Sequence, residues 1–207
     1  MMYIQKRNGL ESLDRWKAKF KVQRKRNARY ADFYSDENSK QQIKQSLIGE
    51  QKGLCCYCCC GVNDDNSHIE HFMPQSLFQS MDLEYRNLLI SCNGANGKMK
   101  NCGHTKKSII PTDVLISPLE LSCESNFYYT GRGNIRPCGD AKRAQQTIDI
   151  LKLDSPALSS AREAALWASG VFSGDEDLDE IRELIYNPVD GIMLPFSNII
   201  AFFLSPT

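Results

Sequence analysis

The chain has 207 residues, 42% of them apolar, and 25 basic side chains balance 25 acidic ones. That length supports one good core, or a small catalytic module with helical extensions. No apolar run follows the charges of "MMYIQKRNG", so no secretory leader is expected. The longest uncharged stretch, "GIMLPFSNIIAFFLSPT", is too short to span a bilayer and is interrupted by Pro195, Ser197 and Asn198, so it reads as a core or docking helix. Charge is unevenly spread. Residues 5–30 carry ten Lys and Arg against Glu11 and Asp14, whereas residues 154–207 carry nine Asp and Glu against Arg162 and Arg182. A basic segment of that kind suits a polyanion or an acidic partner, or is simply a solvated helix face.

In chain order, residues 10–50 read as helical in two pieces, with Trp16, Phe20, Tyr30, Phe33 and Tyr34 among the charges. "YSDENSK" breaks them and offers Ser35 or Asp36 as a cap, and the second piece ends between Gly49 and Gly53. From 54 to 140 the texture changes to Gly, Asn and Cys with short apolar runs. "HIEHFMP" and "YRNLLISC" are the expected strands, and "GHTKKSII" starts a short helix stopped by Pro111. "NFYYTGRGNIRP" reads as a hairpin. Helical periodicity returns in "AKRAQQTIDILKL", "SPALSSAREAALWAS" and "DEDLDEIRELIYN". Three regions follow: a basic helical segment 1–50, a centre 51–140 rich in Gly, Cys and His, and a helical region 141–207.

Nine cysteines without a secretory signal point to a reducing compartment and to metal rather than disulfides, and an odd number cannot close entirely into intrachain bridges. Five of the nine fall between Cys55 and Cys60. Cys55-x-x-Cys58 puts two thiolates on one tight turn, where both can reach a tetrahedral zinc ion. Cys56, Cys59 and Cys60 leave the register open, and Cys56-x-x-Cys59 is an equally valid pair. Cys92 and Cys102 are the expected second pair, provided that the loop 93–101 folds back. Ala95 stands where a second C-x-x-C would put its last ligand. Cys123 and Cys138 read as structural.

The three histidines, His68, His71 and His104, all lie in segments bracketed by these cysteines. On a strand, "HIEH" puts His68 and Glu70 on one face and His71 on the other. A carboxylate beside a histidine supplies a holder for a hard divalent cation and a group that takes a proton near neutral pH. His104 opens the expected helix as a second ligand to that cation. Lys106 and Lys107 follow it in position to meet phosphate.

"CCYC" at 55–58, "HIEHFMP" at 68–74, "YRNLLISC" at 85–92 and "CGHTK" at 102–106 together resemble the HNH endonucleases. The resemblance implies an α+β fold: a zinc-bound ββα-metal core flanked by N- and C-terminal helices. It implies that His71 is the general base, that Glu70 and His104 hold a catalytic divalent ion such as Mg²⁺, and that Asn87 braces the loop between the strands. It also favours the Cys55/Cys58 register, with Cys92 and Cys102 completing a structural zinc site. His68, Lys106 and Lys107 would meet nucleic acid, His68 being also a possible further ligand. Many of these enzymes have Asp where Glu70 stands, and Asn96 competes with His104 as a ligand.

Downstream, "SPLELSCESNFYYTGRGNIRP" and "TIDILKLDSPALSSAR" resemble the PtuB-like subfamily of Septu-type antiphage systems, also found in retron operons. That resemblance implies a prokaryotic cytoplasmic nuclease subunit working with an operon-encoded PtuA-like ATPase, or within a retron reverse transcriptase–msDNA assembly. The substrate would be DNA, with RNA, tRNA included, as the alternative. No G-x-x-x-x-G-K-[ST] loop is present, so any ATP would bind the partner. The competing reading is a non-catalytic zinc-binding interaction module. "EHF" argues against it, because a structural zinc site needs no carboxylate–histidine pair outside its cysteines.

Overall fold

The amino-terminal helices are held by caps and a few aromatic contacts rather than by a broad apolar face. A computed structural model describes residues 1–94, 100–173 and 177–205. Helix α1, Glu11–Arg24, has acidic residues in its first turn and basic ones in its last, which suits the helix dipole. Leu13 is its buried residue. The helix stops where Lys25 takes a left-handed conformation (φ 55°). The expected first helical piece is therefore two: α2, Tyr30–Tyr34, follows a five-residue break. Helix α3, Glu37–Glu50, begins at Asp36, whose carboxylate accepts from the Ser39 N–H at 3.1 Å and from the Trp16 indole at 2.8 Å.

Strands β1, Ser67–His71, and β2, Leu88–Cys92, form an antiparallel pair with Glu70 opposite Leu89. Every β2 residue is buried. Gln51, just after α3, completes the far edge of β2: its amide donates to the Ile90 carbonyl at 2.9 Å and accepts the Ile90 N–H at 2.7 Å. A short helix α4, Gly103–Lys106, comes next. It ends at Lys107 (φ 55°), four residues before the Pro111 expected to stop it. Its entry is fixed from outside, because the Cys102 N–H donates to the Leu151 carbonyl at 2.8 Å.

The hairpin of β3, Phe127–Tyr129, and β4, Ile135–Pro137, turns at Gly133. Gly133 has φ +73°, and a Cβ there would strike the Ser159 carbonyl. Helices α5, Ala141–Leu151, α6, Pro156–Ala168, α7, Leu178–Tyr186, and α8, Ser197–Leu204, complete the chain. The apolar tail is core: Ile199, Ile200 and Leu204 are buried. One continuous hydrophobic cluster takes residues from all three sequence regions, Leu13 and Leu47, Leu89 and Ile90, Leu151 and Ile200 among them. The fold is α+β, with two small sheets among helices. Among the described residues no helix is long and apolar enough to cross a membrane.

The first residues are tied to the sheet by a buried ion pair. The Lys6 ammonium donates to Glu50 at 2.7 Å and to the Leu88 carbonyl at 2.9 Å, and both charged side chains are 3% exposed. Tyr85 also donates to Glu50. Removing one partner strands the other charge in the interior. Lys6→Ala is expected to lower stability by about 3–5 kcal/mol. Chemical denaturation checks this, and a change under about 1 kcal/mol would show that Glu50 is resolvated.

Candidate metal and catalytic centre

The cysteine-rich turn folds back on itself. The Cys59 N–H donates to the Cys55 carbonyl, and the Cys55 N–H donates to the Cys60 carbonyl at 2.9 Å. Cys59 sits in the left-handed region at φ 62°, which swings Cys60 toward Cys55 and Cys58. The sulfurs of Cys55, Cys58, Cys60 and Cys92 all lie within 4.8 Å of one another. Four thiols so placed could bind a metal such as zinc. The expected set of Cys55, Cys58, Cys92 and Cys102 differs by one member, because Cys60 stands in this mutual group. Cys102 is fully buried beside these thiols but is not one of the mutual group. The neighbouring Cys102 thiol brings the Cys92 thiol down to about 5. Burial works against ionising Cys55, yet bonds from Cys102 and the adjoining thiols hold it well below the ordinary range. Cys56 and Cys59 are outside the group. Cys59 packs instead with Leu54 and Met193.

Strand β1 sets out the polar residues beside this cluster. His68 and Glu70 share a face, with His68 Nε2 3.6 Å from Glu70 Oε2. His104, on α4, brings its ring centroid within 4.4 Å of that of His68. Both rings converge on Asn93 Oδ1, at 2.9 Å from His68 Nδ1 and 3.4 Å from His104 Nε2. The other Glu70 oxygen, Oε1, accepts from the Tyr57 hydroxyl at 3.0 Å and from the Lys106 ammonium. Burial opposes ionisation of Glu70, but His68 and Lys106 hold its carboxyl below the ordinary value. Burial would lower His68, and the carboxylate and Asn93 raise it above the usual imidazole range. An amide oxygen can only accept, so His68 Nδ1 carries a proton. His68 Nε2 faces the carboxylate across 3.6 Å.

His71 ends β1, and its surroundings fix its tautomer. Nε2 lies 2.9 Å from the Asp82 carbonyl, which can only accept, so Nε2 bears the hydrogen. Nδ1 keeps its lone pair and receives the Gln75 amide at 2.9 Å. Burial lowers the pKa of His71, which keeps the ring neutral and basic. Although alternation would send His71 away from Glu70, both border one open cleft of ≈ 430 Å³ with Gln75, His104 and Lys107. Asn87 Oδ1 accepts the Met73 N–H at 2.6 Å, and its amide donates to the Met73 and Met81 carbonyls.

Lys106 is not placed to meet phosphate. It is 3% exposed, and its ammonium donates to Glu70 and to the carbonyls of His71 and Phe72. Three donors are thus engaged within the protein. Lys107 is exposed at the cleft. Ala95 and Asn96 lie outside the described residues.

The residues present fit a divalent cation. Lys106 and Tyr57 engage Glu70 Oε1, Oε2 faces His68 Nε2 at 3.6 Å, and the His104 ring lies against that of His68. Gly103 keeps this cradle open: a Cβ there would sit 2.5 Å from Glu70 Oε2 and 2.9 Å from His68 Nε2. Gly103→Ala is expected to abolish cation binding here while zinc content stays at the wild-type level. Metal analysis with Mn²⁺ titration reads both, and undiminished Mn²⁺ affinity would contradict this assignment.

No family model matches the chain. Against curated proteins it is 29% identical, over 128 residues, to the Septu protein PtuB of Bacillus thuringiensis. Over that stretch the chain is similar to PtuB. The match takes in 59% of this chain and 46% of that protein, so the chain spans about half the length of the relative.

Several centre residues were not legible in the sequence. Cys60 was readable as C-x-C with Cys58, but two competing C-x-x-C registers masked it. Asn93 directly follows Cys92 and carries no signal of its own. Tyr57, Gln75 and Gly103 lie inside or beside the motifs. Their roles depend on which side chain they meet across the strands, and spacing does not encode that.

Proposed function

We propose that the protein is a metal-dependent HNH endonuclease, the effector subunit of a Septu-like antiphage defence system that works with an ATPase partner. One observation supports this above the others. His71, with its Nε2 hydrogen tied back to the Asp82 carbonyl and its Nδ1 lone pair covered by the amide of Gln75, lines the same cleft as Glu70, Gln75 and His104. The two strands and α4 then act as a ββα-metal core, with the four-cysteine cluster binding zinc structurally. The similarity to PtuB supports the defence role.

Glu70 and His104, with His68 as a further ligand, would hold a divalent cation such as Mg²⁺. When bound, that ion supplies positive charge to the reacting phosphate and the leaving oxygen. Lys106 anchors the carboxylate by Oε1 and leaves Oε2 toward the cleft. A water that displaces the Gln75 amide would meet Nδ1 of His71, which removes its proton as the oxygen attacks phosphorus. Asn87 holds residues 73 and 81 so that the loop carrying Asp82 keeps its place behind His71. Lys107 meets the substrate backbone, and DNA is the favoured substrate. The chain, copurified with its operon-encoded partner, should nick plasmid DNA in Mg²⁺ and be silent in chelator. Total RNA tests the alternative substrate. If neither DNA nor RNA is cut, with zinc bound and partner present, the non-catalytic interaction module replaces this reading.

A further inference from the structure

We infer that Asp82, with Arg29 and Tyr30 of the basic amino-terminal segment, positions His71. This rests on the reading of His71 as the base. Asp82 is 7% exposed and lies in the loop between β1 and β2. Its backbone carbonyl is the acceptor that fixes the His71 Nε2 hydrogen, at 2.9 Å. Its carboxylate points the other way and is gripped twice at one oxygen. Arg29 Nε donates to Oδ2 at 2.9 Å, and the Tyr30 N–H donates to it at 3.1 Å. The Tyr30 ring also meets the His71 imidazole edge to face, with centroids 4.4 Å apart at 88°.

These contacts form a short relay. A carbonyl hydrogen bond sets an imidazole only if the carbonyl stays put, and a loop peptide can rotate. Asp82 removes that freedom by attaching its side chain to the start of α2 while its own carbonyl holds the ring. Tyr30 adds an edge-to-face contact, so the imidazole is held both at Nε2 and against an aromatic ring. Arg29 stands at the N-cap of α2, and its backbone N–H donates to Asp32 at 2.9 Å. Asp32 is held in turn by Arg26 at 2.7 Å. The arginines nearest the centre thus have a task besides meeting a polyanion: they fix the amino-terminal segment against the loop behind the base. Residues more than 40 positions apart in sequence meet here, and neither belongs to the motif that names the site.

Arg29→Ala is the test. The Arg29 side chain is 45% exposed, so its loss leaves the core intact. In the zinc-loaded complex with its partner, kcat for plasmid cleavage should fall about 10- to 100-fold at unchanged KM, as small misplacements of a reacting group do. Arg29→Lys, which can still reach the carboxylate, should recover most of it. Independently of activity, ¹⁵N NMR of the three histidine rings should show His71 as the Nε2–H tautomer in the wild type. Arg29→Ala and Asp82→Ala should give a mixture of tautomers. A fixed His71 tautomer in both variants would overturn the proposal. So would a loss confined to KM, which would make Arg29 a substrate contact. If the tautomer responds while His71→Ala still cleaves at full rate, the positioning stands and the base assignment falls.

Discussion

His71→Ala is expected to lower phosphodiester cleavage by about 10²–10⁴-fold, the range that general-base catalysis contributes. Zinc content and thermal stability should stay near wild type. The ring makes hydrogen bonds to the Asp82 carbonyl and the Gln75 amide, and Gln75 borders the open cleft, from which water can enter the space the ring leaves. The cysteine cluster is built from other residues, so a metal held there would have no stake in the imidazole. Single-turnover cleavage in Mg²⁺ reads the rate. Unchanged turnover would remove His71 from the mechanism.

The second large effect separates the two metal centres. Cys58→Ser should reduce zinc content and melt the domain, because Cys58 belongs to the mutual four-sulfur group and lies 3.7 Å from Cys92. Those thiols link the turn after α3 to the end of β2, so losing the ion loosens both. Cys60→Ser should act in the same direction, and Cys56→Ser should be mild. Glu70→Ala should instead keep zinc and stop cleavage, since its Oε2 faces His68 and the cleft rather than the sulfurs. Zinc analysis and thermal melting of the four variants decide it. Equal loss of zinc in Cys58→Ser and Glu70→Ala would mean that there is one centre, not two.

Much of this arrangement could be read from residue type and spacing. "HIEH" and "NLLIS" announced themselves as strands, Asp36 as a cap and "NFYYTGRGNIRP" as a hairpin, because each rests on local chemistry. Clustered cysteines announced a metal group for the same reason. The split between α1 and α2 was not legible, since nothing in the composition marks Lys25 as left-handed. Lys106 misled for a different reason. A lysine after a histidine looks like a phosphate contact until the fold turns it inward onto Glu70. Cys60 and Asp82 likewise gain their roles from backbone direction, one through the bend at Cys59 and the other through contacts reaching back to Arg29.

Cleavage measured as Mg²⁺ is titrated into the zinc-loaded complex, wild type against Glu70→Ala, bears most directly on whether this is a metal-dependent nuclease. The account predicts a saturable rise in rate with Mg²⁺ for the wild type and none for Glu70→Ala at equal zinc content. Cleavage that ignores Mg²⁺, or that proceeds equally in Glu70→Ala, would contradict it.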